Sequence, residues 1–145
     1  MKIVAFLQNC WFPPGTSLYH IRRYLINDDF RRKVLKKGWS GKRLMNAFGE
    51  ELFDKIIWDN ASLEVGATPG HRADADRNHI ANVIYNHSPD LILTFGTVAR
   101  DAVRIVNRTC GDGACVLSTK HPNARGFTNE ELSHFVKQVK EWINE

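Results

Sequence analysis

The chain has few cysteines, and their arrangement excludes several classes of protein. Its three cysteines, Cys10, Cys110 and Cys115, are odd in number and form no Cys-x-x-Cys pair, which argues against a disulfide framework. An iron–sulfur cluster needs four thiolate ligands, so none is expected. Reduced structural cysteines are the simplest interpretation.

Long hydrophobic runs, internal repeats and low-complexity tracts are also missing. The apolar start, residues 1–7, is too short for a signal peptide and is typical of a strand. A cytoplasmic protein is therefore expected (host cytoplasm if the source is a virus), with no membrane partner. The sequence gives no metal-ligand spacing among His20, His71, His79 and His87, so we expect neither a zinc site nor another cofactor.

Basic residues are plentiful but unevenly spread. Residues 22–43 contain nine Lys or Arg against two Asp, whereas the rest of the chain has a small acidic excess. Such asymmetry suggests a polyanionic partner, although a solvated helical face would look the same. Tyr24 and Trp39, which are interleaved with these basic residues, are predicted to anchor the core and not to stack on nucleobases.

Apolar strand-like runs alternate with amphipathic helical stretches along the chain. Strands are predicted at 3–7, 56–60, 91–95 and 115–118, and helices at about 17–27, 28–37, 40–48, 74–86, after Gly96 and from Thr128 or Asn129 onward. This alternation predicts a single domain over residues 1–145, an α/β/α three-layer sandwich with a four-stranded, mostly parallel sheet. We expect it to act as a monomer.

Polar or aromatic clusters follow three of these strands, at the edge where an open α/β sheet forms its ligand crevice. After the first strand, an amide such as Asn9 can orient a water molecule but is no strong base. Trp11 and Phe12 can stack on a planar base. The alternative is that Asn9 caps a turn while the two aromatic side chains pack in the core.

The second cluster is Asn60, and the third is the His121 loop. The Asn60 amide has the donor and acceptor needed to read a pyrimidine edge, although asparagine is also a common turn residue. Pro122 holds the backbone of His121 out of the helical region, and the imidazole could donate to a base carbonyl as charge develops there. Arg125 could enter a duplex or bind phosphate, although an exposed arginine usually does neither.

The segment Leu7-Gln8-Asn9-Cys10-Trp11 resembles the first motif of the uracil-DNA glycosylase superfamily, Gly-Gln-Asp-Pro-Tyr or Gly-x-Asn-Pro-Gly. His121-Pro122-Asn123-Ala124-Arg125 resembles its His-Pro-Ser-Pro-Leu or His-Pro-Ser-Pro-Arg motif. Asn60 falls where the family keeps a base-reading asparagine. Residues 89–99 resemble the family's strand-to-helix turn, and His71-Arg72 resembles the Asn-Arg loop of the branch that carries an iron–sulfur cluster.

The first motif departs from the family pattern in ways that bear on activity. Leu7 and Cys10 replace the usual glycine and proline, and Asn9 stands where the most active branch has aspartate. Trp11 occupies the place of a tyrosine that excludes the thymine methyl group. The resemblance therefore leaves the preferred base open.

The resemblance implies a monofunctional DNA glycosylase that flips a damaged or modified pyrimidine, uracil or a 5-substituted uracil, out of single- or double-stranded DNA and hydrolyses its N-glycosidic bond. Asn9 and His121 would be catalytic, and Gln8, Trp11, Phe12 and Asn60 would bind the base. DNA contacts would come from Lys36, Lys37, His71, Arg72, Lys120, Asn123 and Arg125. The alternatives are a weak or inactive superfamily member that binds DNA or modified bases, and a nucleoside- or nucleotide-processing enzyme.

Overall fold

A four-stranded, all-parallel sheet forms the centre of the protein, as seen in a computed structural model that describes residues 1–66, 68, 73–110 and 113–145. The strands are β1 (Ile3–Leu7), β2 (Ile56–Asn60), β3 (Leu91–Phe95) and β4 (Cys115–Thr119). Their order across the sheet is β2-β1-β3-β4. The predicted sheet is confirmed.

The carboxyl ends of the strands are level with one another. Leu7 pairs with Asn60, and Phe95 pairs with Thr119. The loops that follow β1, β2 and β4 therefore begin side by side, which is the arrangement that makes a crevice at this edge of a parallel sheet.

Helices cover both faces of the sheet in the described part of the chain. They are α1 (Leu18–Ile26), α2 (Asp28–Lys37), α3 (Trp39–Phe48), α4 (Glu50–Lys55), α5 (Arg77–His87), α6 (Thr97–Cys110) and α7 (Asn129–Ile143). The side chains of Ser17 and Asn27 cap α1 and α2, and Thr128 forms a capping box with Glu131 at the start of α7. None of these helices combines the length and the apolar character that crossing a lipid bilayer requires.

The helices differ from the sequence predictions in two main respects, the start of α5 and the presence of α4. The prediction that Asp74 caps the fifth helix is wrong, since α5 begins after Asp76, whose carboxylate accepts from His79 N at 3.0 Å. The short helix α4 was not predicted, because its six residues are too few for a clear period. Gly49, with φ +83°, separates α4 from α3.

The sheet has a separate hydrophobic core on each face. On one face, Trp58, Phe95 and Phe135 are packed together beneath α3, α4 and α7. On the other, Phe6 and Val103 belong to a core formed with α5 and α6. Alternate strand residues point to opposite faces, so a strand covered on both sides must be apolar throughout. The three-layer α/β/α arrangement is confirmed.

Tyr24 and Trp39 lie in opposite environments. Tyr24 is 3% exposed, which confirms it as a core residue, but Trp39 is 67% exposed and the prediction of a core anchor is wrong. Trp39 is the first residue of α3 and borders two surface cavities, which leaves its ring exposed. Its ring lies 5.8 Å from the Arg43 guanidinium.

Helices α2 and α3 approach each other most closely at Gly41. A Cβ atom added there would lie 1.7 Å from the Leu35 carbonyl oxygen. Gly41→Ala is expected to lower the free energy of unfolding by about 1–3 kcal/mol, because the backbones must move apart. Urea denaturation checks this, with Lys42→Ala on the exposed side of the same helix as the control. Unchanged stability of Gly41→Ala would contradict the close contact.

Candidate functional site

A cleft of about 580 Å³ lies at the carboxyl edge of the sheet, between the strand ends and helices α1 to α3. This volume is within the range of small-molecule sites in proteins. Its lining brings together these predicted site residues: Asn9, Trp11, Phe12, Lys37, Asn60, His121 and Asn123. Three loops separated along the chain therefore contribute to one cavity.

The segments after β1 and β2 run side by side, which places their side chains. Ala61 N donates to Leu7 O at 2.7 Å, and Ser62 N donates to Gln8 O at 2.9 Å. Trp11 and Gly66 form a further parallel bridge. These backbone contacts continue past the strands and position residues 8–11 at the mouth of the cleft.

Asn60, the last residue of β2, presents a buried amide to the cleft. The residue is 3% exposed, and its Nδ2 donates to the Tyr24 hydroxyl at 3.0 Å. In the described part of the chain, Oδ1 and the second N–H of this amide have no hydrogen-bond partner. Burial raises the pKa of Tyr24, so its hydroxyl stays protonated at physiological pH and accepts the hydrogen bond from the amide as a neutral group.

The His121 imidazole is held in one tautomer by its own loop. The Asn123 backbone N–H donates to His121 Nδ1 at 3.0 Å. A nitrogen that accepts a hydrogen bond carries no proton, so the neutral ring holds its proton on Nε2. His121 Cβ also lies 3.4 Å from where a Cβ would stand on Gly96, in close contact with the turn after β3.

Helix α3 fixes the His121 loop from the side. Arg43 Nη1 donates to Pro122 O at 2.5 Å, and Nη2 donates to Phe127 O at 2.6 Å. Ser40 Oγ donates to Asn123 Oδ1 at 2.6 Å. Arg43, which by sequence belongs to the basic segment, thus acts as a clamp on the loop that carries the imidazole.

The amides of Gln8 and Asn9 connect the β1 loop to Ala73. Asn9 Oδ1 accepts from Ala73 N at 3.0 Å, and Asn9 Nδ2 donates to Cys10 O at 3.3 Å. Gln8 Nε2 donates to Ala73 O at 3.0 Å. Gln8 is 7% exposed and lies outside the cleft lining, so its side chain serves to position the loop. Asn9 lies at the cleft.

Aromatic rings form one wall of the cleft. Phe12 packs edge-on against Tyr24 and His20, with ring centres 5.2 and 5.7 Å apart, respectively. Trp11 and Phe12 are both half-buried, so each keeps part of its ring accessible. Sequence reasoning missed His20 as a cleft residue, because a lone histidine in an amphipathic helix carries no local signal.

Cys10 also lines the cleft, with a thiol that is not activated. Burial raises the pKa of Cys10 to about 11, so the thiol is neutral at physiological pH and is no nucleophile. Cys10 and Cys115 are both free, as predicted, and the side chain of Cys110 lies outside the described residues.

The basic segment divides into paired and unpaired charges. Lys36 contacts Asp54 at 2.6 Å and Glu50 at 3.3 Å, and its hydrogen bond to Asp54 raises the pKa of Lys36. Lys36 lies outside the cleft lining, whereas Lys37 lies in it. In the described part of the chain, the basic residues of this segment without a carboxylate partner are Arg22, Arg23, Lys33, Lys37 and Lys42, apart from the clamp Arg43.

Two further predicted DNA contacts, Lys120 and Arg125, lie outside the cleft lining. Lys120 Nζ is 3.5 Å from Glu131, and Lys120 lines a different cavity beside α7. Arg125 is exposed on its loop and makes no ion pair with the residues that the structure describes. The predictions for His71 and Arg72 fall outside the described residues.

The chemistry available in the cleft is that of amides, an imidazole and aromatic rings. The described lining residues include no carboxylate, and in the described ranges no three His, Cys, Asp or Glu side chains gather as a metal site. The site can therefore hold a planar polar heterocycle and donate a hydrogen bond to it, and the His20 imidazole in the same lining is a candidate general base.

Comparison with known proteins gives no relative: no protein-family model, no curated protein and no solved structure matches this chain.

Proposed function

We propose that this protein is a DNA glycosylase, which extrudes a damaged or modified pyrimidine from DNA and hydrolyses its N-glycosidic bond. The observation that carries the proposal is that Asn60, the His121 imidazole and the Phe12 ring line one cleft at the carboxyl edge of the sheet. The motif resemblance to the uracil-DNA glycosylase superfamily points to the same activity. Uracil and 5-substituted uracils are the proposed bases.

Asn60 would read the Watson–Crick edge of the base. A uracil ring presents N3–H as a donor next to O4 as an acceptor, which complements the oxygen and the second N–H of a fixed amide. Because the Asn60 side chain is buried, a base with the wrong pattern would leave polar groups unpaired, and that costs free energy. Phe12 or Trp11 would cover the face of the ring.

His121 would stabilise the leaving group. Cleavage leaves an oxocarbenium-like sugar and a base anion, so negative charge grows on the base oxygens as the bond lengthens. The Nε2–H of the neutral imidazole is the donor suited to that charge, and the clamp on its loop means that little reorganisation is needed. Asn9, oriented by its bond to Ala73, would place the attacking water molecule.

The absence of a carboxylate among the described lining residues favours a second candidate, a protein that binds extruded bases without cutting. An amide cannot take the proton of water early in the reaction, so Asn9 could orient the attacking water molecule but not deprotonate it.

A substrate panel separates the two candidates. Duplex and single-stranded oligonucleotides that carry uracil, hydroxymethyluracil, hypoxanthine or hypermodified pyrimidines are incubated with the protein, and abasic sites are then cleaved with alkali. Strand cleavage at a modified pyrimidine supports the glycosylase. Retention of such DNA without abasic sites would instead identify a binding protein.

Asn60→Asp tests the reading of the base edge. The change removes the N–H that would bind O4, so kcat/KM on the preferred uracil-type base should fall by about tenfold to a hundredfold, given about 1–3 kcal/mol for one such pair of contacts. Steady-state cleavage assays measure this. Asn86→Asp, an exposed change on α5 at the other face of the sheet, is the control and should leave the rate unchanged. Equal rates for Asn60→Asp and wild type would contradict the assignment.

A further inference from the structure

Trp39 forms a ridge between two cavities. On one side its ring lines the cleft, and on the other it lines a groove of about 460 Å³ between α3 and α7. Trp39 keeps 67% of its surface exposed. A large aromatic side chain with this much exposed surface, directly beside a site proposed to hold a nucleobase, is a candidate contact for a ligand.

The Trp39 ring lies next to a guanidinium that is itself fixed in place. The Arg43 guanidinium lies 5.8 Å from the Trp39 ring centre, and the same guanidinium is fixed by its bonds to Pro122 O and Phe127 O. A ring supported in this way loses little conformational freedom when another planar group stacks on it.

The charge around the ridge is positive. Lys37 lies in the cleft lining and Lys42 in the groove lining, and neither has a carboxylate partner in the described part of the chain. Among the residues that the structure describes, Arg43 bonds only to neutral oxygens, so no carboxylate offsets its charge. The described lining of the groove includes no Asp or Glu, and its other polar groups are Asn46, Asn129 and Ser133.

We infer that the groove binds the nucleotide next to the extruded base, with that neighbouring base stacked on Trp39 and the connecting phosphate near Lys37 and Lys42. Alternation of a free aromatic ring with unpaired cations is the pattern that recognises a single strand. The inference rests on the proposed function, because it takes the cleft to be the site of a DNA base. It adds that the substrate strand is unpaired on one side of that base.

Unmodified oligothymidines of one, two and six nucleotides are the probe, and their binding is followed by calorimetry and by tryptophan fluorescence. Wild type should bind the longer probes more tightly than the mononucleotide, with quenching of fluorescence. Trp39→Ala should lose about tenfold in affinity for the hexanucleotide, and Trp39→Phe should recover much of the affinity but not the quenching. Lys42→Glu should flatten the salt dependence.

Control variants lie at the far end of α7. Trp142→Phe, at a half-buried position near the end of that helix, and Lys140→Glu, at an exposed one, should leave hexanucleotide affinity unchanged. Unaltered affinity and quenching in Trp39→Ala would overturn the inference. Failure of the wild-type protein to bind the hexanucleotide would also overturn it.

The outcomes for this inference and for the glycosylase are separable. Trp39-dependent binding of oligothymidine without base release from any panel substrate would leave the groove in place and remove the catalytic proposal. Base release together with hexanucleotide binding that does not depend on Trp39 would support the catalytic proposal and overturn the inference about the groove.

Discussion

Replacement of His121 by alanine is expected to slow base release by about 10²–10³-fold, the usual effect of removing one hydrogen-bond donor from a developing anion. The Asn123 N–H bond to Nδ1 places the ring proton on Nε2, so the ring acts as a neutral donor. The loss should lie in the rate of the chemical step.

Single-turnover cleavage of the best panel substrate measures that rate, and a binding titration on the same DNA should give nearly the parental affinity. His134→Ala is the matched control, since His134 is exposed on α7 and lines a different cavity. If His121→Ala cleaves at the parental rate while the panel shows base release, the imidazole is not the group that stabilises the leaving base.

Replacement of Arg31 by methionine is expected to lower the free energy of unfolding by about 3–5 kcal/mol, the cost of removing one member of a buried ion pair. Arg31 is 2% exposed. Its guanidinium donates to the carbonyl oxygens of Tyr24, Leu25 and Trp58 at 3.0, 2.8 and 3.0 Å, and it lies 3.5 Å from buried Asp59. The same guanidinium also donates to Asp28 Oδ1 at 2.7 Å. All five oxygens would lose that partner.

Urea unfolding of Arg31→Met measures the effect, and Arg32→Met is the control. Arg32 keeps 27% of its side chain exposed beside Asp29, so its loss should cost at most about 1 kcal/mol. Without Arg31, the buried Asp59 carboxylate keeps its contact with His79 Nε2 at 3.0 Å but loses its arginine partner. Adding Asp59→Leu to Arg31→Met should restore part of the stability, since this carboxylate is then gone. Equal stability of Arg31→Met and wild type would show that the buried network contributes nothing.

The sheet could be predicted because each strand is a short apolar run with a break on either side. Strands at 3–7, 56–60 and 91–95 have the predicted bounds, and β4 is one residue longer. The meeting of Asn9, Asn60 and His121 at one cleft follows from parallel order alone, since strand ends of the same polarity share an edge. Their chemical roles remain the proposal that the assays above address.

The burial and the partners of individual basic side chains could not be predicted, because they depend on contacts between residues distant in sequence. Arg31, Lys36 and Arg43 look alike in a basic segment, yet the first is buried, the second is paired with Asp54 and the third grips the His121 loop. Exposure of Trp39 likewise depends on how α3 meets α7. Periodicity shows which side of a helix is apolar but not what lies against it.

The close approach at Gly41 has a consequence for how the cleft responds to a ligand. Helix α3 has no room for a methyl group against Leu35 on one side, and through Arg43 it grips residues 122–127 on the other. The Trp39 ring and the His121 imidazole are therefore both held in position by helix α3. The conformational entropy of these side chains is lost when the chain folds and not when a base binds, so the site is preorganised for the base.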